Sequence, residues 1–149
     1  MKTHEMEVIA VLMGKYNHAV DAKGRLIIPA KLKEQLGPVV TVIKGTDKCL
    51  TLYSKEEWAM YAEKISALPP TQSRAITRYL YSNAQEIEPD SQGRVLLPQE
   101  MLQFAGITKN VVTVGCGRYA EIWSAERWAD GKLDEEPVDF AAELEKLGL

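Results

Sequence analysis

A carboxylate, a glycine and a guanidinium recur in this chain at one fixed spacing. Asp21-Ala22-Lys23-Gly24-Arg25 returns 69 residues later as Asp90-Ser91-Gln92-Gly93-Arg94. The glycine permits the positive φ that a tight connection between strands often needs. The Asp carboxylate, four residues before the Arg, can accept backbone N–H groups of the turn or pair with the guanidinium. Either contact holds the Arg in one orientation at a sheet edge. A pre-oriented Arg presents a rigid planar fork of donors, the geometry that reads a guanine edge or grips a phosphate. Lys23 adds a flexible point charge in the first copy, and Gln92 can hydrogen-bond to a base or a phosphate in the second. The plainer alternative is that Asp and Arg only staple a hairpin.

The elements that must position these turns are themselves duplicated. Each motif runs into an apolar stretch that ends in proline, Leu26-Ile27-Ile28-Pro29 and Val95-Leu96-Leu97-Pro98, and both stretches read as buried strands. Each proline suits the first position of a short helix, over Lys31 to Leu36 and Met101 to Ala105, with Gly37 and Gly106 as the stops. Val39-Val40-Thr41-Val42 aligns with Val111-Val112-Thr113-Val114, and Ser54 to Trp58 aligns with Ser124 to Trp128. Hairpins are expected from Val39 to Tyr53 around Gly45-Thr46-Asp47, and from Val111 to Trp123 around Gly115-Cys116-Gly117. Ser54 and Glu57 form a capping box for a helix running to about Leu68. Pro69-Pro70 breaks that helix, and Thr71 to Tyr81 resumes as a second one with Ile76, Tyr79 and Leu80 on one face.

A repeat of this length is a duplicated small domain, not a solenoid unit. The fold class is β-rich α+β. Residues 1–12 form an N-terminal extension, with a second possible start at Met13. The first β unit spans 13–59, a helical linker 60–84, the second β unit 85–129, and an acidic tail 130–149. In the tail, Phe140, Leu144 and Leu147 fall at helical spacing, as a surface helix or as an amphipathic segment that docks. Units of roughly 50 residues are marginal alone, so the two should share a core or lean on neighbours.

The bulk charge, −3 over 149 residues, argues mildly against a nucleic-acid binder. Its distribution reverses that impression. Residues 130–149 carry seven acidic and two basic side chains, whereas from Met13 to Lys33 five basic residues, Lys15 among them, face only Asp21. A symmetric assembly would concentrate that local charge. No apolar run reaches the roughly 20 residues that span a bilayer, and the start lacks the pattern of a signal peptide. Two cysteines at unrelated repeat positions, Cys49 and Cys116, predict free thiols and a cytoplasmic protein. His4 and His18 with these cysteines lack zinc-site spacing, so no metal and no cofactor is expected. No phosphate-cradling glycine loop precedes a helix, and Cys116 has no evident base, so no enzyme and no small-molecule substrate is expected.

Lys15-Tyr16 through Pro29, the second motif through Pro98, and the Ile122-to-Trp128 segment resemble the MraZ family, over roughly Met13 to Leu147. The resemblance implies two AbrB-like swapped-hairpin units interlocked in one chain, a ring-shaped homo-oligomer, and DNA binding without enzymatic activity. It implies a nucleoid-associated transcriptional regulator of its own division and cell-wall gene cluster, acting on short tandem repeats in promoter double-stranded DNA. Carried onto this sequence, Asp21 and Asp90 orient the turns, and Arg25 and Arg94 touch DNA. Lys23, Gln92 and Lys15 support them, with unequal roles for the two copies because Gln92 replaces a basic residue. The rival reading is an antitoxin-like interaction module that binds a partner protein through its tail. Trp58, Trp128 and Trp123 read as core residues, and Arg74 and Arg78 as a solvated or subunit-facing pair.

Overall fold

The computed structural model describes residues 11–149. The first half comprises β1 (Lys15–Ala19), β2 (Arg25–Ile27), α1 (Ala30–Leu36), β3 (Val40–Lys44), β4 (Leu50–Ser54), α2 (Lys55–Ser66) and α3 (Pro70–Ser82). The second repeats that order as β5 (Gln85–Ile87), β6 (Arg94–Leu96), α4 (Gln99–Ala105), β7 (Asn110–Gly115), β8 (Ala120–Ser124), α5 (Ala125–Asp130) and α6 (Phe140–Lys146). Pro29 and Pro98 stand at the N-caps of α1 and α4, one residue before the position expected. Their fixed φ prepares the helix start, and their missing N–H costs nothing there.

The strands pair across the repeat. A six-stranded sheet has the order β1-β7-β8-β4-β3-β5, and β2 and β6 form a separate two-stranded ribbon. Every named pairing is antiparallel. Each half therefore lends its first strand to the other half's hairpin, β1 to β7 and β5 to β3, and each contributes one strand to the ribbon. Neither half owns a complete sheet. The exchange answers the size problem of two small units, since one interlocked core buries more apolar surface than two separate ones.

That core lies between one face of the six-stranded sheet and a layer made of the ribbon, α1 and α4. Leu26 and Val95 from the ribbon, Leu32 and Leu36 from α1, and Met101 and Leu102 from α4 meet Val40, Leu50, Leu52, Val111 and Ile122. The opposite face carries two smaller clusters. Ile43, Tyr53 and Leu80 pack with Trp58 and Tyr61 beneath α2 and α3, while Val112, Val114 and Trp123 pack with Trp128 beside α5. All three tryptophans are thus packing residues, as expected. Ser54 caps α2 by accepting the Glu57 backbone N–H at 3.1 Å.

Two expectations are corrected. The alignment of Val39–Val42 with Val111–Val114 is one residue out. Val40 opposes Ser54 as Val111 opposes Ser124, so Val40, Thr41, Val42 and Ile43 are the true counterparts of Val111 to Val114. A slip of one exchanges the two faces of a strand, and consecutive β-branched residues hide it. The runs after the two motifs are also not buried throughout. Leu26 and Ile28 point inward, but Ile27 points out, and Leu96 does the same between Val95 and Leu97. The tail helix follows the first of its two readings: no residue of α6 is buried, as in a surface helix and not one docked within this chain.

Leu12, placed by sequence in the N-terminal extension, is buried in the main core and bridges to Gly117 through paired backbone hydrogen bonds of 2.8 Å. The remainder of the extension up to residue 10, with His4, lies outside the described residues. Arg74 and Arg78 are exposed on α3.

Candidate nucleic-acid interface

Both Asp-x-x-Gly-Arg segments adopt the same turn. In the first, one Asp21 oxygen accepts the backbone N–H of Lys23 and of Arg25 at 2.9 Å each. The other oxygen accepts the Arg25 Nε–H at 2.7 Å. The second copy repeats this with Asp90, Gln92 and Arg94 at 2.9, 2.9 and 2.7 Å. The N–H of the glycine returns to the Asp carbonyl, at 3.0 Å for Gly24 and 2.9 Å for Gly93. These glycines have φ of 83° and 80°, in the left-handed region where a side chain is strained.

The turn is not a hairpin. β1 and β2 belong to different sheets, so the Asp staples a change of layer and not a pair of partners. With Nε committed to the carboxylate, the two terminal nitrogens of each guanidinium are without a protein partner among the described residues. Each Arg thus offers a fixed, outward pair of donors.

The interlock brings the two turns together. The Leu97 N–H donates to the Gly24 carbonyl at 2.9 Å, and the Ile28 N–H donates to the Gly93 carbonyl at 3.0 Å, so each turn closes the end of the other copy's strand. In the ribbon Arg25 lies opposite Leu96, Leu26 opposite Val95, and Ile27 opposite Arg94. One face is core: Leu26 and Val95 are 1% and 0% exposed. The other face presents Arg25, Arg94, Ile27 and Leu96 together. The two arginines are diagonal neighbours, about 7–8 Å apart by strand geometry.

The remaining predicted residues divide. Lys23 and Gln92 are exposed at equivalent positions of the two turns, beside their arginines. Lys15 is elsewhere, at the far end of β1 from the turn, where its Nζ pairs with Asp134 of the acidic tail at 3.0 Å. A residue that the sequence reading did not single out joins the site. The aliphatic stem of Lys33, on α1, lies against Gly93, 3.5 Å from where a Cβ would stand. The corresponding neighbour of Gly24 is Leu102. The first copy thereby supplies a cation beside each turn, Lys23 in its own and Lys33 beside the one that carries Gln92. Only the strand exchange reveals this.

Both turn carboxylates titrate below the usual carboxylate range. The main cause is the backbone N–H of the following Arg, joined by the guanidinium itself. A lowered folded-state pKa contributes stability that is present above the unfolded value and is lost as pH falls through the folded one. We predict that thermal stability declines below about pH 4, and that Asp21→Asn combined with Asp90→Asn flattens this decline, read from melting curves between pH 2 and 6.

Burial pushes the Cys49 thiol up to about 12 and the Cys116 thiol up to about 11. Both are free, as predicted, and stay protonated at neutral pH. Burial lowers the pKa of His18, whose Nε2 lies 2.7 Å from the Thr113 hydroxyl. Among the described residues no group of His, Cys, Asp and Glu is placed to hold a metal ion, and no helix is long and apolar enough to cross a membrane.

Fold and site together define a class: a duplicated, interlocked α+β chain that displays paired arginine turns from one two-stranded ribbon. A profile described as "MraZ protein, putative antitoxin-like" matches this chain twice, over residues 11–78 and 80–144. The chain belongs to the MraZ family. A protein of Clostridium tetani named "Transcriptional regulator MraZ" is 42% identical over 144 residues, covering 93% of this chain and all of that relative. Relatives of the same name from Heliobacterium modesticaldum and Carboxydothermus hydrogenoformans are each 48% identical, covering 92% and 87% of this chain and 96% and 99% of their own lengths.

Proposed function

We propose that this protein is a transcriptional regulator that binds double-stranded DNA by laying the outer face of the β2–β6 ribbon in the major groove. A groove of that width admits a two-stranded ribbon. Arg25 and Arg94 make the base contacts, Lys23, Gln92 and Lys33 the supporting ones, and Asp21 and Asp90 hold the arginines without touching DNA. The observation that carries this reading is the common outward face of both arginines, each fixed through Nε and open at its terminal nitrogens. Lys15 contributes only once Asp134 has released it.

Copies of the chain assemble into a ring, which multiplies these weak single contacts along tandem promoter repeats. The exposed Ile76 and Tyr79 of α3, beside a cavity of about 610 Å³ lined by Ile43, Tyr53 and Tyr61, support self-association. The target is the promoter of the protein's own division and cell-wall gene cluster, and the protein works in the cytoplasm at the nucleoid without catalysing a reaction.

The test is fluorescence anisotropy with the DNA upstream of the protein's own coding region, beside a scrambled duplex, over a salt series. Tighter binding to the upstream duplex is expected, with an affinity falling by about 0.9 log units per log of salt for each phosphate contacted. Equal binding to scrambled DNA, or no binding by a folded oligomer, would overturn the reading in favour of a protein partner.

A further inference from the structure

Two of the four side chains on the outer face of the ribbon are aliphatic. Ile27 is 55% exposed and Leu96 is 58% exposed. A sheet face turned to water normally alternates to polar residues, yet here each arginine stands directly across from a branched hydrocarbon, Arg25 from Leu96 and Arg94 from Ile27. Opposed Cβ atoms lie about 4.5–5.5 Å apart. The face is thus built from two equal units, each a donor fork with an aliphatic neighbour.

The charge around the pair argues for DNA as the surface that covers it. Arg25 and Arg94 stand across from the pair, and with Lys23 and Lys33 at the two turns the cations outnumber the turn carboxylates Asp21 and Asp90, while two aliphatic side chains fall far short of the roughly 800 Å² per partner of a stable protein interface. Phosphate contact leaves the hydrocarbons unexplained, because a phosphate gives an aliphatic group nothing. Base edges in the major groove offer one apolar group, the C5 methyl of thymine, while guanine offers O6 and N7 to an arginine fork. Successive bases on a strand are about 3.4 Å apart, so an arginine and an aliphatic group at this spacing reach neighbouring base pairs.

We propose that Ile27 and Leu96 are specificity-determining residues that contact thymine methyl groups beside the guanines bound by Arg94 and Arg25. The preferred site then carries thymine within a base pair or two of each contacted guanine. This rests on the ribbon being the DNA-binding surface.

The test compares two versions of the upstream duplex, one containing thymine and one with deoxyuridine in every thymine position, which removes only the methyl groups. Scrambled duplexes in both forms control for any general effect of methyl loss. Wild-type protein should bind the uracil form more weakly, by about fourfold for each methyl that loses its apolar cover. Ile27→Ala combined with Leu96→Ala, both at exposed positions, should bind the two forms alike, near the wild-type affinity for the uracil form. Arg25→Ala should be weak on both. Equal wild-type binding to the two forms, with Arg25→Ala still defective, would overturn methyl recognition while leaving DNA binding intact. A double variant that keeps the thymine preference would overturn the assignment to these residues. Failure of wild type on both forms would remove the DNA reading itself.

Discussion

Arg25→Ala together with Arg94→Ala is expected to abolish sequence-specific DNA binding while leaving the protein folded. Each bidentate arginine–guanine contact discriminates by about 1–3 kcal/mol. In the proposed ring the loss would repeat in every subunit, so the double variant should fall at least about 100-fold on the upstream duplex and approach its affinity for scrambled DNA. The fold should tolerate the change. Asp21 still accepts the backbone N–H groups of residues 23 and 25, and Asp90 those of residues 92 and 94. The side chains removed lie on the outer face of the ribbon, and exposed ion pairs contribute little to stability. Arg25→Lys together with Arg94→Lys sharpens the test, because it keeps the charge and loses the planar forks. It should retain salt-sensitive, non-specific binding and lose the preference for the upstream duplex. Anisotropy on both duplexes, with a melting curve for each variant, reads all of this. Unchanged specificity in a folded double variant would remove the turns from the interface.

The second large effect is on stability. Leu26→Ala should destabilise the whole chain by about 2–5 kcal/mol, the usual range for truncating a buried leucine. For a chain of this size that is a fall in Tm of roughly 5–20 °C. Leu26 faces Val95 across the ribbon and packs into a core lined by residues of both halves. Because each half completes the other's sheet, the transition should stay single and both halves should melt together. Chemical denaturation followed by tryptophan fluorescence, which reports Trp58 in the first half and Trp123 and Trp128 in the second, and by circular dichroism checks this. Two separate transitions, or a loss below about 1 kcal/mol, would mean that the ribbon is not part of the common core. DNA binding should weaken in parallel near the new midpoint, since the ribbon that carries both arginines is the element undermined.

Much of the local structure was legible because its causes are local. Proline and glycine bracket α1 and α4 within nine residues, and a capping serine starts α2. The Asp-x-x-Gly-Arg turn closes on itself within five residues. The duplication also exposed the motif, since a pattern with three fixed residue types means little once and considerably more twice. The sequence therefore determined on its own the β-rich α+β class, the two turns, the pre-oriented arginines and the packing role of the tryptophans.

What only the tertiary structure decided depends on pairings between residues far apart. The family resemblance implied an interlock, but that it joins β1 to β7 and β2 to β6 across a whole repeat is encoded by no local preference. The alignment of β3 with its repeat counterpart β7 slips by one residue because consecutive apolar residues suit either face. The direction of Ile27 and Leu96 follows from which neighbours the ribbon turns inward, and an unbroken apolar run does not disclose that alternation. Lys33 reaches Gly93, and Lys15 reaches Asp134, only because the fold brings distant segments side by side. Local chemistry set the parts of this site. The non-local burial of a shared core set which of them face outward together.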